Sequence, residues 1–199
     1  MLAHKNNPFT AIIVGGNAAG LSAASKLKRL RPSAKVLVFE KTPQVSYSSC
    51  GIPYWIEGTV ASEQQLIQLS ADDLRQKRHI EVFTHHEVLS IDRRKKQITV
   101  RHLTTARELT LGYDKLLLAT GARPIVPPWP GNHADNIFTL RSLQDAQHFQ
   151  QALNADIRRA VVIGAGYVGL EMAAALRKKN YAVTLIEKAP RLLPQYDPT

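Results

Sequence analysis

The chain has a single cysteine, Cys50, in 199 residues. One sulfur cannot close an internal disulfide, so no disulfide framework holds the fold, and the usage fits a reducing cytoplasm. Aromatic residues are sparse at 7% and no nucleic-acid recognition motif stands in the sequence, so base-stacking platforms are excluded as its main theme. Long apolar runs are missing. Nothing approaches the ~20 residues of a membrane span, and Met1 to Pro8 holds no apolar core of signal-peptide length, so neither membrane nor secretion is expected. Acids are scarce too: 16 against 26 lysines and arginines leave a net charge of +10. Such a surface attracts anions. Nucleic acid is one class of anion, but the phosphates of dinucleotides and coenzymes account for the charge with fewer assumptions. Metal ligands are lacking as well. His85 and His86 have no thiol or carboxylate at ligand spacing, read as loop or packing residues, and imply no metal.

What is present is a core and two related units. Hydrophobic residues make up 44% of the chain, enough to exclude wholesale disorder. Thr10 to Val14 is an apolar, β-branched run that predicts a buried parallel strand. Gly15-Gly16-Asn17-Ala18-Ala19-Gly20 follows, then a helix over Leu21 to Leu30 and a strand over Val36 to Phe39 that ends at Glu40. This is a βαβ unit with glycines at its first turn and an acid at the tip of its second strand. Gly15 permits the tight turn, small residues at 16 to 19 let backbone N–H groups approach a pyrophosphate, and Gly20 lets helix pack on strand. The helix N-terminus adds its dipole and free donors, and Glu40 can accept hydrogen bonds from ribose hydroxyls. Asn17 stands where the fingerprint has its middle glycine.

The pattern returns later. Ala160 to Ile163 predicts a strand, Gly164-Ala165-Gly166-Tyr167-Val168-Gly169 is a full GxGxxG, Leu170 to Lys179 predicts a helix, and Ala182 to Ile186 a strand ending at Glu187. A carboxylate there suits the free 2′-hydroxyl of NADH and repels the 2′-phosphate of NADPH. Lys188 and Arg191 nearby keep NADPH open as the alternative. Between the units, Glu63 to Lys77 reads as one helix. Ile80 to Phe83, Val88 to Ile91, Gln97 to His102 and Arg107 to Leu111 read as strands, with a charged turn at 92–96. Leu116 to Leu118 predicts a buried strand running into Ala119-Thr120-Gly121, a small-residue turn able to bring its backbone against a flat cofactor. Pro127-Pro128-Trp129-Pro130-Gly131 reads as a connector and Ser142 to Leu153 as a helix. The expected fold class is α/β: two Rossmann-like βαβ units of the FAD/NAD(P)-binding kind, with a small β-meander in the first domain. The expected domains are 1–126 for FAD, 127–158 for connector and helix, and 159–199 for NAD(P)H. The last is expected to be truncated, since two strands and a helix do not close such a domain.

Cys50 lies in Val45-Ser46-Tyr47-Ser48-Ser49-Cys50-Gly51-Ile52-Pro53-Tyr54. Together with Ile12 to Lys41, this stretch resembles the single-cysteine branch of the pyridine nucleotide-disulfide oxidoreductases, which includes coenzyme A-disulfide reductase, NADH oxidase, NADH peroxidase and persulfide reductases. The resemblance extends over Tyr113 to Arg123, Phe138 to Arg141 and Val161 to Glu187. It implies FAD on the first unit and NADH on the second. Gly15, Gly16, Asn17, Ala18, Ala19 and Gly20 would hold the FAD pyrophosphate, Glu40 and Lys41 its ribose, and Val88 would lie near its adenine. Ala119, Thr120, Gly121 and Arg141 would approach the flavin nucleotide from another side. Gly164, Gly166, Gly169 and Glu187 would hold NADH. Cys50, having no partner, would cycle through a sulfenic acid or a mixed disulfide with a small thiol. Ser48 or Ser49 would cap a short helix starting near Gly51, with its positive end beside the sulfur.

Peroxidase and oxidase members often carry a histidine in the first glycine loop where Ala18 stands here, which draws the sequence toward the coenzyme A-disulfide reductase type. Lys26 and Arg29 would then meet coenzyme phosphates, with Ser22, Ser46 and Ser49 along the approach, while Lys28 reads equally as ordinary helix surface. The implied substrate is a small disulfide or persulfide, and the implied partner is a second copy, although the family's dimerisation domain is not in these residues. NADH oxidase or peroxidase is the second enzyme reading, and a non-catalytic nucleotide-binding fragment the third.

Overall fold

The computed structural model describes residues 9–153 and 158–193. The stretch read as lacking a signal core, residues 154–157 of the expected connector, and the chain end at Asp197-Pro198-Thr199 lie outside the described residues. In chain order the elements are β1 (Thr10–Val14), α1 (Ala18–Leu30), β2 (Lys35–Phe39), α2 (Ile52–Glu57), α3 (Ala71–Arg78), β3 (Glu81–Phe83), β4 (His86–Asp92) and β5 (Gln97–His102). They continue as β6 (Glu108–Gly112), β7 (Lys115–Leu118), α4 (Leu143–Ala152), β8 (Arg159–Ile163), α5 (Tyr167–Lys178) and β9 (Ala182–Ile186). Two compact units divide the chain: Met1–Tyr47 with Ile67–Gly121, and Ser48–Leu66 with Ala122–Thr199.

The first unit is built on a parallel sheet of order β3-β2-β1-β7. Its central strands β1 and β2 are apolar on both faces because both faces are covered, whereas β7, expected as a buried strand, leaves Leu117 and Leu118 exposed at the sheet edge. Ile13, Val36, Val38 and Val82 pack with Leu21 and Ala24 of α1 and Leu74 of α3. Ile12, Leu37 and Phe39 point the other way and pack with Ile98 and Val100 of the antiparallel meander β4-β5-β6. The alternation of Ile12 and Ile13 thus assigns each strand residue to one of two layers. Phe39 and Phe83 stack at 5.1 Å where β2 and β3 end, and His86 meets His102 edge-on at 4.6 Å to carry the contact into the meander.

Ile80 to Phe83, read as a strand, supplies β3, which joins the parallel sheet beside β2. One sequence expectation changes here. Glu63 to Lys77 reads as one helix but forms a 3-10 turn over Glu63–Leu66 and then α3. The break has a cause. Ile67 bridges to Tyr47, the Gln68 amide donates to the Ser46 carbonyl at 2.8 Å, and Ser70 restarts the helix with a capping box to Asp73. Backbone groups spent on that bridge are unavailable to a continuous helix, and a serine cap satisfies the new N-terminus.

The second unit holds the parallel pair β8-β9 with α5, and α2 packs on both α5 and α4. The buried face of α2 is Ile52, Pro53 and Ile56, that of α5 is Met172, Ala175 and Leu176, and that of α4 is Leu143 and Ala146. These spacings of three and four residues are helical stripes. Residues 48–66, inside the stretch 1–126 expected as one domain, are compact with 122–199. Among the described residues no helix is long and apolar enough to cross a membrane.

Candidate functional site

The two glycine loops have the same internal construction. In the first, the Gly15 amide donates to the Phe39 carbonyl at 2.8 Å; in the second, Gly164 donates to Ile186 at 2.8 Å. Gly15 has φ 113° and Gly164 φ 100°, the left-handed region that L side chains rarely adopt. A Cβ on Gly20 would fall 1.9 Å from the Gly15 carbonyl oxygen, and one on Gly169 would fall 1.9 Å from that of Gly164. The first and last glycines therefore close each loop upon itself.

The acids at the strand tips behave alike too. Glu40 Oε2 accepts from the Gly16 amide at 2.8 Å, and its Oε1 from the Thr42 amide at 2.9 Å and Thr42 hydroxyl at 2.8 Å. Glu187 Oε2 accepts from the Ala165 amide at 2.6 Å and its Oε1 from the Ala189 amide at 2.8 Å. The amides of Ala189 and then Ala165 hold the Glu187 carboxyl below the usual carboxylate range. Sequence reasoning gave these acids only to ribose. The structure adds that each ties its own glycine loop to its own strand, which leaves the unused lone pairs for a ligand. Thr42 is the residue that the sequence reading missed; the only available signal was a hydroxyl two positions after the acid.

The helices that leave these loops begin differently from α3 and α4. α3 and α4 begin with full serine capping boxes, Ser70 with Asp73 and Ser142 with Asp145. α1 begins at Asn17 and α5 at Gly166 with no side-chain cap and no acid in the first turn. Bare amides and an uncompensated dipole fit a pyrophosphate, and they are found at both fingerprints and at neither capped helix. Both helices start one turn earlier than apolar periodicity predicts, because the loop's small residues are themselves the first turn. No described atom beyond its chain neighbours and its own helix backbone lies within 4 Å of a Cβ built on Gly166, so that position is open where Gly169 is crowded.

Several expected FAD contacts gather in the first unit. A Cβ on Gly15 would sit 2.1 Å from the Ala119 carbonyl oxygen, so the Ala119-Thr120-Gly121 turn closes directly on the glycine loop. The His86 amide donates to the Glu40 carbonyl at 2.9 Å, which sets the start of β4 beside Glu40, with Val88 at a bulge two residues on. Lys41 is exposed. Ser22, Lys26 and Arg29 are exposed at i, i+4 and i+7 along α1. Lys28 is otherwise engaged: its ammonium donates to the Pro32 carbonyl at 2.8 Å and that of Ala34 at 3.0 Å, which anchors the helix end. Ser46 takes φ 52°, and its amide donates to the Gly16 carbonyl at 3.0 Å.

Cys50, Ser49 and Arg141 belong to the second unit. Cys50 is exposed, in the 3-10 turn Ser49–Gly51 that leads directly into α2. The expected serine cap is not made: α2 starts from Gly51, and neither Ser48 nor Ser49 donates or accepts a side-chain capping bond there. The Gly51 amide is already bound to the Ser48 carbonyl at 3.1 Å, and Pro53 in the first turn has no N–H to satisfy. The Arg141 amide donates to Asp145 Oδ2 at 2.9 Å, just ahead of α4.

Residues 9–199 match the family model described as pyridine nucleotide-disulphide oxidoreductase. An NADH oxidase of Methanocaldococcus jannaschii is 34% identical over 187 residues, 94% of this chain and 42% of that protein. A coenzyme A disulfide reductase of Staphylococcus haemolyticus is 34% identical over 182 residues, 91% of this chain and 41% of that protein. The crystal structure of reduced Bacillus anthracis CoADR-RHD superposes with a TM-score of 0.92 at 33% identity, covering 96% of this chain and 35% of that one. The chain thus spans about two-fifths of the length of the curated relatives it matches.

Proposed function

This chain belongs to the pyridine nucleotide-disulphide oxidoreductase family, and from that membership we propose that it is the FAD- and NADH-binding part of a single-cysteine reductase of coenzyme A disulfide or a related small disulfide or persulfide. The observation that carries the reading is Cys50: the only sulfhydryl in the chain is exposed, ahead of a short helix, in a protein with two glycine-loop cradles. In the first unit Gly15 to Gly20 hold a pyrophosphate, Glu40 and Lys41 a ribose, Val88 the adenine side, and Ala119 to Gly121 the flavin side. In the second, Gly164, Gly166 and Gly169 hold the pyrophosphate of NADH and Glu187 its ribose. The depressed Glu187 carboxyl stays charged and favours NADH over NADPH.

Bound FAD supplies the two-electron relay between nicotinamide and sulfur. The protein's own part is nucleophilic. The Cys50 thiolate attacks one sulfur of the substrate disulfide; a mixed disulfide forms and one substrate thiolate leaves. Lys26 and Arg29 bind the coenzyme's phosphates, and Ser22, Ser46 and Ser49 line its approach. The working form is a cytoplasmic homodimer.

The test is anaerobic turnover with NADH and coenzyme A disulfide. We expect each disulfide to consume one NADH and one proton and to yield two thiols and NAD+, and Cys50→Ser to abolish this while NADH binding persists. NADH oxidation by dioxygen or hydrogen peroxide without any by the disulfide would move the protein to the oxidase reading, which its similarity to the Methanocaldococcus protein favours. Purified protein that takes up no FAD would leave only a nucleotide-binding fragment.

A further inference from the structure

Glu57 ends α2, seven residues after Cys50, and its side chain is only 7% exposed. Its Oε1 accepts from the Thr59 hydroxyl at 2.5 Å and from the Lys178 ammonium at 2.9 Å. Lys178 is the last residue of α5, the helix whose first turn is the second glycine loop. The two helices also share a packed face. An ion pair with one shielded member, on a helix contact, differs from the solvated surface pairs that contribute little. α2 has six residues, too few to keep its own form or orientation in water. Its direction is therefore set by what it packs on.

We propose that Glu57 and Lys178 are a positioning pair: they lock the cysteine-bearing segment to the helix that carries the second dinucleotide loop, so that a dinucleotide on that loop changes the reactivity of Cys50. Neither residue touches the substrate or the nucleotide. Each acts through the helix it ends. The inference rests on the proposed use of Gly164 to Gly169 and Glu187 for NADH.

The experiment uses the holoprotein with FAD oxidised and Cys50 as the free thiol, together with NAD+, which then occupies the loop without exchanging electrons. The readout is the rate of Cys50 alkylation by iodoacetamide, followed by mass spectrometry, with NAD+ affinity and melting temperature measured on the same samples. In the unaltered protein, saturating NAD+ is expected to change the alkylation rate by about fivefold or more, the lower end of ordinary coupling between sites. Lys178→Met and Glu57→Gln should bind NAD+ with unaltered affinity and lose the response. The exchanged pair Glu57→Lys with Lys178→Glu should regain it. Lys178 is 63% exposed, so its substitution tests the idea even where Glu57→Gln folds poorly. A response that persists in Lys178→Met, or NAD+ binding with no response in the unaltered protein, overturns the proposal. A merely structural pair would lower the melting temperature and leave the response intact, which also overturns it. Absence of NAD+ binding in the unaltered protein would instead remove the reading of the second loop, and this inference with it.

Discussion

Gly166 and Gly169 stand three residues apart and answer to different demands. A side chain at 169 would meet the backbone of Gly164 at 1.9 Å, whereas one at 166 meets no described atom within 4 Å beyond its chain neighbours and its own helix backbone. Gly169→Ala should therefore cost roughly 1–3 kcal/mol, the scale of overpacking, read as a fall in the denaturant midpoint. Gly166→Ala, whose φ of −76° any residue adopts, should leave that midpoint in place and weaken NADH binding, measured by titration calorimetry. If both variants lose stability equally, the open position is not a ligand approach. Glu187 makes a second residue-scale case. Glu187→Ala should erode the proposed preference for NADH over NADPH by roughly tenfold, about the worth of one hydrogen bond to a charged group, measured as the ratio of the two affinities. The folded carboxyl lies below its unfolded value of about 4.3, so its stabilising contribution is present above that pH and is lost only as pH falls through the lower folded value. NADH affinity should accordingly hold through mildly acidic pH.

Among the elements, the helices divide by how they begin. Ser70→Ala and Ser142→Ala each remove a cap that is made, and each should cost about 1 kcal/mol in chemical denaturation. Asn17→Ala removes no cap bond and should cost much less. Asp73, held below the usual carboxylate range by Lys77 and then Ser70, stabilises α3 above an ordinary aspartate value of about 3.9 and loses that contribution as pH falls through its lower folded value. Acid should thus spare α3 until well below pH 4, visible as retained amide protection. Much at this scale was legible in the residues. The β1-α1-β2 and β8-α5-β9 units, the meander and α4 follow from periodicity, glycine placement and serine punctuation. The break at Gln68 to Ser70 was not legible, because leucines at 66, 69 and 74 keep helical spacing across it. A backbone bond to distant Ser46 decides it.

For the molecule as a whole, the decisive fact is that β1 is covered from two sides. Ile12 is fully buried between sheet and meander, so Ile12→Ala should cost about 2–5 kcal/mol, measured by denaturant unfolding followed by circular dichroism. The fold class, both glycine loops and the acids that follow them were determined by sequence alone, since each depends on residue types at short, fixed separations. Tertiary structure alone placed β3 in the parallel sheet, joined the cysteine segment to α5, and turned Glu40 and Glu187 into braces of their own loops. Those outcomes depend on contacts between residues more than twenty positions apart, and no local period or turn residue encodes which distant backbone a strand edge or carboxylate will meet.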